Sequence, residues 1–257
     1  MRIERDGVKL FFQEGGGGTP PLLFVHGWTC DHTYLAPQFE YFRDAHRVVA
    51  VDLRGHGQSD KPQQDYTMAG FADDIVWLCG RLKLEKPVVL GHSMGGVIAL
   101  AVAACAPRLP SAIVTIESPI LPPPAVASNV RPFVDALRGP DYRQAQRDFV
   151  SNMLFLPTDD PARKQKILDQ MSSAPQHVMA SAFENIFTFD HESAAAACKV
   201  PWLALYAGHI TTDLARLRAL CPQVITGQTV GAGHFHQLEV PEQINAMIAR
   251  FLATALS

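Results

Sequence analysis

The chain has 257 residues, 47% of them hydrophobic and 18% charged, enough to bury one sizeable core with an insertion and short of two ordinary domains. Lysine and arginine total 22 against 25 aspartates and glutamates, so the net charge of -3 supplies no attraction for nucleic acid or an anionic membrane as partner. The first residues are charged where a secretory signal is apolar, and the longest apolar run, 97–106, is too short to cross a bilayer, which predicts a soluble, cytoplasmic protein.

In chain order, Asp6-Gly7 is a hairpin signal before a strand over 8–13, and residues 15–21 form a loop leading into a buried strand over 22–25. The glycines of that loop lack the Gly-Lys-Ser/Thr that would make a phosphate cradle. Strands over 48–51, 88–90 and 112–116 then alternate with helices over 71–82 and 95–106, which predicts a mostly parallel sheet with helices on both faces. After Ser118 the pattern breaks. Pro119, Pro122, Pro123 and Pro124 open a stretch of helical periodicity, read as an inserted helical cap over 119–190 that leaves 1–118 and 191–257 as the core. A strand over 202–206, a helix over 213–220, a strand over 224–230 and a last helix over 241–256 complete the chain. The cysteines (Cys30, Cys79, Cys105, Cys198 and Cys221) are odd in number and widely spaced, the pattern of buried thiols rather than of a metal pair or disulfide framework.

Gly91-His92-Ser93-Met94-Gly95 sets a serine between an apolar strand and an alanine-rich helix, with glycine two residues before and two after. This G-x-S-x-G context lets strand and helix pass close together while the turn lifts the hydroxyl above the sheet, over a helix N-terminus that faces developing negative charge. A serine hydroxyl needs a base to take its proton. His234, in the glycine-bracketed Gly231-Ala232-Gly233-His234, is the candidate, expected to titrate at about 6 to 7; His236 is the nearest rival. No third ligand accompanies those two histidines at metal spacing, so no metal or other cofactor is predicted.

Four segments in order resemble the α/β-hydrolase family: His26-Gly27-Trp28, the run from Asp52 to Ser59, the Ser93 elbow and the His234 loop. The resemblance implies a three-layer α/β-hydrolase fold and an oxyanion hole from the Trp28 and Met94 N–H groups. The 52–59 segment resembles the family's structural turn and is expected to be scaffold, and His26 and His92 are read as making structural hydrogen bonds next to the elbow. The family's usual acid, three residues after Gly208, falls on Thr211, which is not acidic. Glu117, at the end of the 112–116 strand, is the preferred orienting acid; Asp213 is the alternative, although it also reads as a first-turn acid behind a threonine helix cap.

The chemistry implied is a serine hydrolase that cleaves carboxylic esters with small apolar or aromatic groups through an acyl-enzyme, water being the second substrate. Trp28, Phe133, Phe155, Phe183 and Phe235 are expected to contact substrate, with Phe149, Met153, Met171 and Met179 as further apolar cap residues. The alternatives are carbon–carbon bond hydrolysis of ring-cleavage products and a hydrolase-like receptor with little turnover. A haloalkane dehalogenase would carry aspartate at position 93.

Overall fold

Asp6 and Gly7, both with positive φ (52° and 78°), turn β1 (Arg2–Arg5) into β2 (Val8–Gly15) in the computed structural model, which describes residues 1–127, 130–208 and 212–256. Positive φ at both central positions matches the twist of the paired strands. β3 (Leu22–Val25), α1 (Ala36–Phe42) and β4 (Val48–Val51) follow, then α2 (Met68–Leu82), β5 (Val88–His92), α3 (Met94–Cys105) and β6 (Ala112–Ile116). The eight strands form one sheet in the order β1-β2-β4-β3-β5-β6-β7-β8, where β7 is Trp202–Tyr206 and β8 is Val224–Gln228. Pairing is antiparallel at the β1–β2 and β2–β4 edges and parallel from β4 to β8.

Every residue of β3, β4, β5, β6 and β7 is buried, because helices cover both faces. Alternation along β3 divides the core: Leu23 and Val25 join the side covered by α2 and α3, whereas Leu22 and Phe24 meet α1 and α12 (Pro241–Ala255). On that second face Phe39 and Phe42 of α1 pack with Ile244, Ile248 and Phe251 of α12. α3 is apolar all round and fully enclosed from Met94 to Ala103, which fixes its N-terminus rigidly at the end of β5.

Between β6 and β7 lie α4 (Pro124–Ala127), α5 (Val130–Arg138), α6 (Tyr142–Met153), α7 (Pro161–Ser172), α8 (Gln176–Thr188) and α9 (His191–Ala197). α5 packs on α6 and α8, α6 on α7, and α9 returns to α3 beside the sheet. α10 (Leu214–Leu220) follows β7, and α11 (His236–Glu239) precedes α12. Among the described residues no helix is long and apolar enough to cross a membrane.

Local boundaries differ from the sequence expectation where a cap decides them. α2 begins at Met68, because Thr67 accepts a hydrogen bond from the Gly70 N–H (3.0 Å). Asp213 is itself the cap of α10, accepting from the Arg216 N–H at 2.9 Å, and is not a first-turn acid behind a threonine. β8 stops at Gln228, two residues short of the expected strand end, and the Thr229 N–H turns to the Tyr206 carbonyl (3.0 Å).

Candidate active site

The parallel register aligns the carboxyl ends of three strands, pairing His92 of β5 with Ile116 of β6, and Ile116 with Leu205 of β7. The next residues, Ser93, Glu117 and the Tyr206–Gly208 segment, therefore emerge side by side, where α/β sheets build their sites. Ser93 has φ 53° and ψ -119°, a strained conformation for a residue with a side chain, and its N–H donates to the Ile116 carbonyl (2.8 Å). The elbow is steric in origin: a Cβ on Gly91 would run into the Gly95 carbonyl, and one on Gly95 into the Val25 carbonyl. Gly27 answers to the same constraint from the neighbouring loop, since its Cβ would stand 3.2 Å from that of Ser93.

Trp28 lies in the loop after β3, and Met94 is the first residue of α3. Among the described residues neither backbone N–H has a hydrogen-bond partner, which leaves two donors beside the elbow. The Trp28 indole N–H donates to the Met179 carbonyl of α8 (2.9 Å), while the ring lies 5.0 Å from Phe183 and about 6 Å from Phe133 and Phe149.

Ser93, Glu117 and His234 all line one cavity of about 700 Å3. The segment between β6 and β7 contributes Val126, Val130, Phe133, Phe149, Met153, Phe183, Ile186 and Phe187 from helices, and Leu154, Phe155 and Leu156 from the loop after α6. Glu117 and His234 carry the ionisable groups of that wall, and among the described residues it holds no lysine or arginine. Met171 and Met179 are buried away from it and pack among the helices between β6 and β7. The sequence reading missed Ile186 and Phe187, which follow Phe183 at helical spacing of three and four residues, as well as Leu154 and Leu156, whose loop carries no periodic signal.

Phe235 is a correction: at 1% exposure it does not reach the cavity. Its ring packs behind the wall, 5.3 Å from Phe155 and 6.0 Å from Tyr34, because the chain bends after His234 and turns the next side chain inward. His236 is fully buried, with Nδ1 2.8 Å from the Thr229 hydroxyl, and lies outside the wall. His26 spans two loops, its Nδ1 donating to the Gly27 carbonyl (2.8 Å) and its Nε2 accepting from the Leu53 N–H (3.0 Å).

The two candidate acids occupy different environments. Glu117 has φ 46°, and its carboxylate accepts the Ala207 N–H at 2.5 Å; burial pushes its pKa up to about 7. Asp213 is exposed, its carboxylate is engaged at the α10 N-terminus, and it does not line the cavity. The family's usual acid position at Thr211 lies outside the described residues. Burial beside His92 and His236 pushes the His234 pKa well below its ordinary value, so the imidazole is neutral at pH 7 and can accept a proton. Among the described residues the imidazole is hydrogen-bonded neither to Ser93 nor to either carboxylate, an open arrangement of groups that share one wall.

Asp31, His32 and Asp52 bring ligand-type atoms within 4.8 Å of one another. Protein donors already take the carboxylates: Asp52 accepts from the backbone N–H groups of His32 and Gln58 (both 2.7 Å), and Asp31 from the Thr33 N–H (2.9 Å). The 52–59 turn is thereby held as scaffold, with the Ser59 hydroxyl donating to the Asp52 carbonyl (2.6 Å).

A family model described as alpha/beta hydrolase fold matches residues 20–241. Among curated proteins the chain is 40% identical over 94 residues to the AB hydrolase superfamily protein YisY of Bacillus subtilis, a match covering 36% of this chain and 35% of that protein. It is 35% identical over 116 residues to a 2-(acetamidomethylene)succinate hydrolase of Mesorhizobium japonicum, covering 45% of this chain and 41% of that enzyme. These matches therefore span well under half of those relatives. Among solved structures a thermophilic esterase from Thermogutta terrifontis superimposes with a TM-score of 0.88 at 26% identity, over 100% of both chains. The elbow, the sheet order and a family match over most of the sequence agree, and the chain belongs to the alpha/beta hydrolase fold family.

Proposed function

We propose that the chain is a serine hydrolase that cleaves carboxylic esters carrying a small apolar or aromatic acyl group. The observation that supports this most directly is the convergence of Ser93, Glu117 and His234 on one cavity whose remaining wall is almost wholly apolar. Ser93 attacks the acyl carbonyl, His234 takes the hydroxyl proton and returns it to the leaving alcohol, and the Trp28 and Met94 N–H groups hold the oxyanion. Glu117 swings from the Ala207 N–H to the imidazole, and its charge steadies the imidazolium as it forms. Water then releases the acid through the same base. Helices α4 to α8 act as a cap that admits and selects the acyl group.

Carbon–carbon hydrolysis of ring-cleavage products is the second reading, and the relative named for a succinate substrate keeps it in view. Substrates of that kind carry carboxylates, which call for a cationic partner; the absence of lysine and arginine among the described wall residues favours neutral esters. The deciding experiment is a panel of p-nitrophenyl esters of increasing acyl length assayed beside a dienoate, with organophosphonate labelling located by peptide mapping. Turnover of the neutral esters with label on Ser93, lost by at least about a thousandfold in Ser93→Ala, is the expected result. Dienoate cleavage without ester turnover supports the second reading, and ligand binding without any turnover supports a receptor.

A further inference from the structure

The rim of the cavity is fastened by two carboxyl groups from opposite sides of a seam. On the insertion side the loop after α6 carries Leu156, which lines the cavity, and closes on itself: the Leu156 N–H donates to Asp159 Oδ2 (2.8 Å) and the Asp159 N–H to the Leu156 carbonyl (3.1 Å). On the core side Glu239 of α11 accepts, through Oε2, the N–H of Gly233 (3.2 Å), the residue immediately before His234. Both carboxyl groups converge on Gly233, since a Cβ there would stand 3.2 Å from the Leu156 side chain, 3.6 Å from Asp159 Oδ2 and 3.7 Å from Glu239 Oε1. Glu239 Oε1 is buried and, among the described residues, receives no N–H or O–H from an ordinary donor.

A buried carboxyl oxygen facing a second carboxyl group is satisfied when one proton lies between them. The cation facing Glu239 is Arg163 of α7, whose guanidinium also donates to the Leu238 carbonyl (3.4 Å). Asp160, next to Asp159, turns its carboxylate to the Arg163 N–H at the start of α7 and takes no part.

We infer that Asp159 and Glu239 share one proton in a carboxyl–carboxylate hydrogen bond that clasps the Leu156 rim to the His234 loop, making them a positioning pair for the reaction. The inference rests on the cavity being the reaction site. Burial and the Asp159 contact push Glu239 up to about 7, from an ordinary value of 4.5. The clasp is therefore kept below neutral pH and given up as the pH passes through about 7. When the proton leaves above pH 7, two carboxylates face each other, the rim loosens and the apolar acyl group loses a wall.

The test is KM and kcat for a medium-chain p-nitrophenyl ester from pH 5.5 to 9, together with hydrogen exchange in residues 154–160 corrected for intrinsic rates. In the wild-type protein KM should rise about three- to tenfold above pH 7.5 while kcat holds, and exchange in 154–160 should speed up over the same interval. Glu239→Gln and Asp159→Asn, whose amides donate at every pH, should keep KM and exchange flat to pH 9. Glu239→Ala should show the high KM throughout. A wild-type KM independent of pH, or a Glu239→Gln profile that follows the wild type, overturns the inference. If no ester is turned over, the functional reading fails, and the exchange measurement still decides whether the proton clasp exists.

Discussion

The His92 Nε2–H donates to the carbonyl of His234 at 3.0 Å, so the residue before the elbow serine holds the backbone of the proposed base. The bond fixes the tautomer of His92, whose pKa burial pushes down to about 4, and ties two loops that are 142 residues apart in sequence. His92 is thus neutral at working pH and acts as a strut between the two loops.

Replacing the strut should misplace the base without unfolding the chain. We expect His92→Ala to lower kcat about 10- to 100-fold with KM little changed, because displacement of a catalytic group by about 1 Å is enough for such a loss. Steady-state kinetics beside a circular dichroism melt checks this. Wild-type kcat in His92→Ala would remove the strut from the mechanism.

The pH profile assigns the ionisations. Burial pushes the His234 pKa well below its ordinary value and the Glu117 pKa up to about 7, so the carboxyl is the group expected to become catalytically competent near neutrality. We expect kcat to rise through about pH 7 and level off above it, and Glu117→Gln to be slower by about three to four orders of magnitude with that rise abolished. Following the His234 ring protons by NMR separates the two groups. A His234 titration near 7, with the limb surviving in Glu117→Gln, would return the ionisation to the histidine.

The parts of the site legible in the sequence are those dictated by backbone geometry. Gly91 and Gly95 are required by the approach of strand and helix, so the elbow shows in the residue types themselves. The alternation of buried strands with helices likewise carried the sheet. Side-chain direction in irregular segments was not legible. Phe235 is adjacent to His234 in sequence, yet its ring packs behind the wall against Tyr34 and Phe155. α8 is apolar over more than one face, so the separation of Phe183 and Phe187, which line the cavity, from buried Met179 needed the packing of α5 against it. The proton balance of Asp159 and Glu239 had no local signal, because those residues lie 80 positions apart and meet only in the fold, beside Gly233.

That division of aromatic residues gives a contrast in phenotype. Phe187→Ala enlarges the cavity from its wall and should move the preferred ester towards longer acyl chains with less than about 1.5 kcal/mol lost in stability. Phe235→Ala opens a void in a fully buried site and should cost about 3 kcal/mol or more, with ester ratios little altered. Denaturant melts and the ester panel measure both. Equal shifts in ester preference for the two variants would mean that Phe235 reaches the substrate after all.

Glu117 and Asp213 are finally separable by stability as well as by rate. The folded protein raises the Glu117 pKa from 4.5 to about 7, so between those values it keeps a proton that the unfolded chain has already lost. Stability from this group therefore falls as pH rises from about 4.5 to 7 and stays reduced above it. Glu117→Gln removes the charge while keeping an oxygen for the Ala207 N–H, so it should melt a few degrees above the wild type at pH 8, a gain of about 1–2 kcal/mol after allowance for partial exposure. Near pH 4.5, where the wild-type carboxyl is already protonated, the two should melt together. Asp213→Asn keeps a capping side chain at an exposed helix start and should alter neither melting nor turnover appreciably. A group held for catalysis against its own folding preference loses activity and gains stability when neutralised, and this pairing is the signature expected of Glu117. If Asp213→Asn instead abolishes turnover while Glu117→Gln stays active, the acid belongs to the segment after β7 and Glu117 is a buried structural carboxyl.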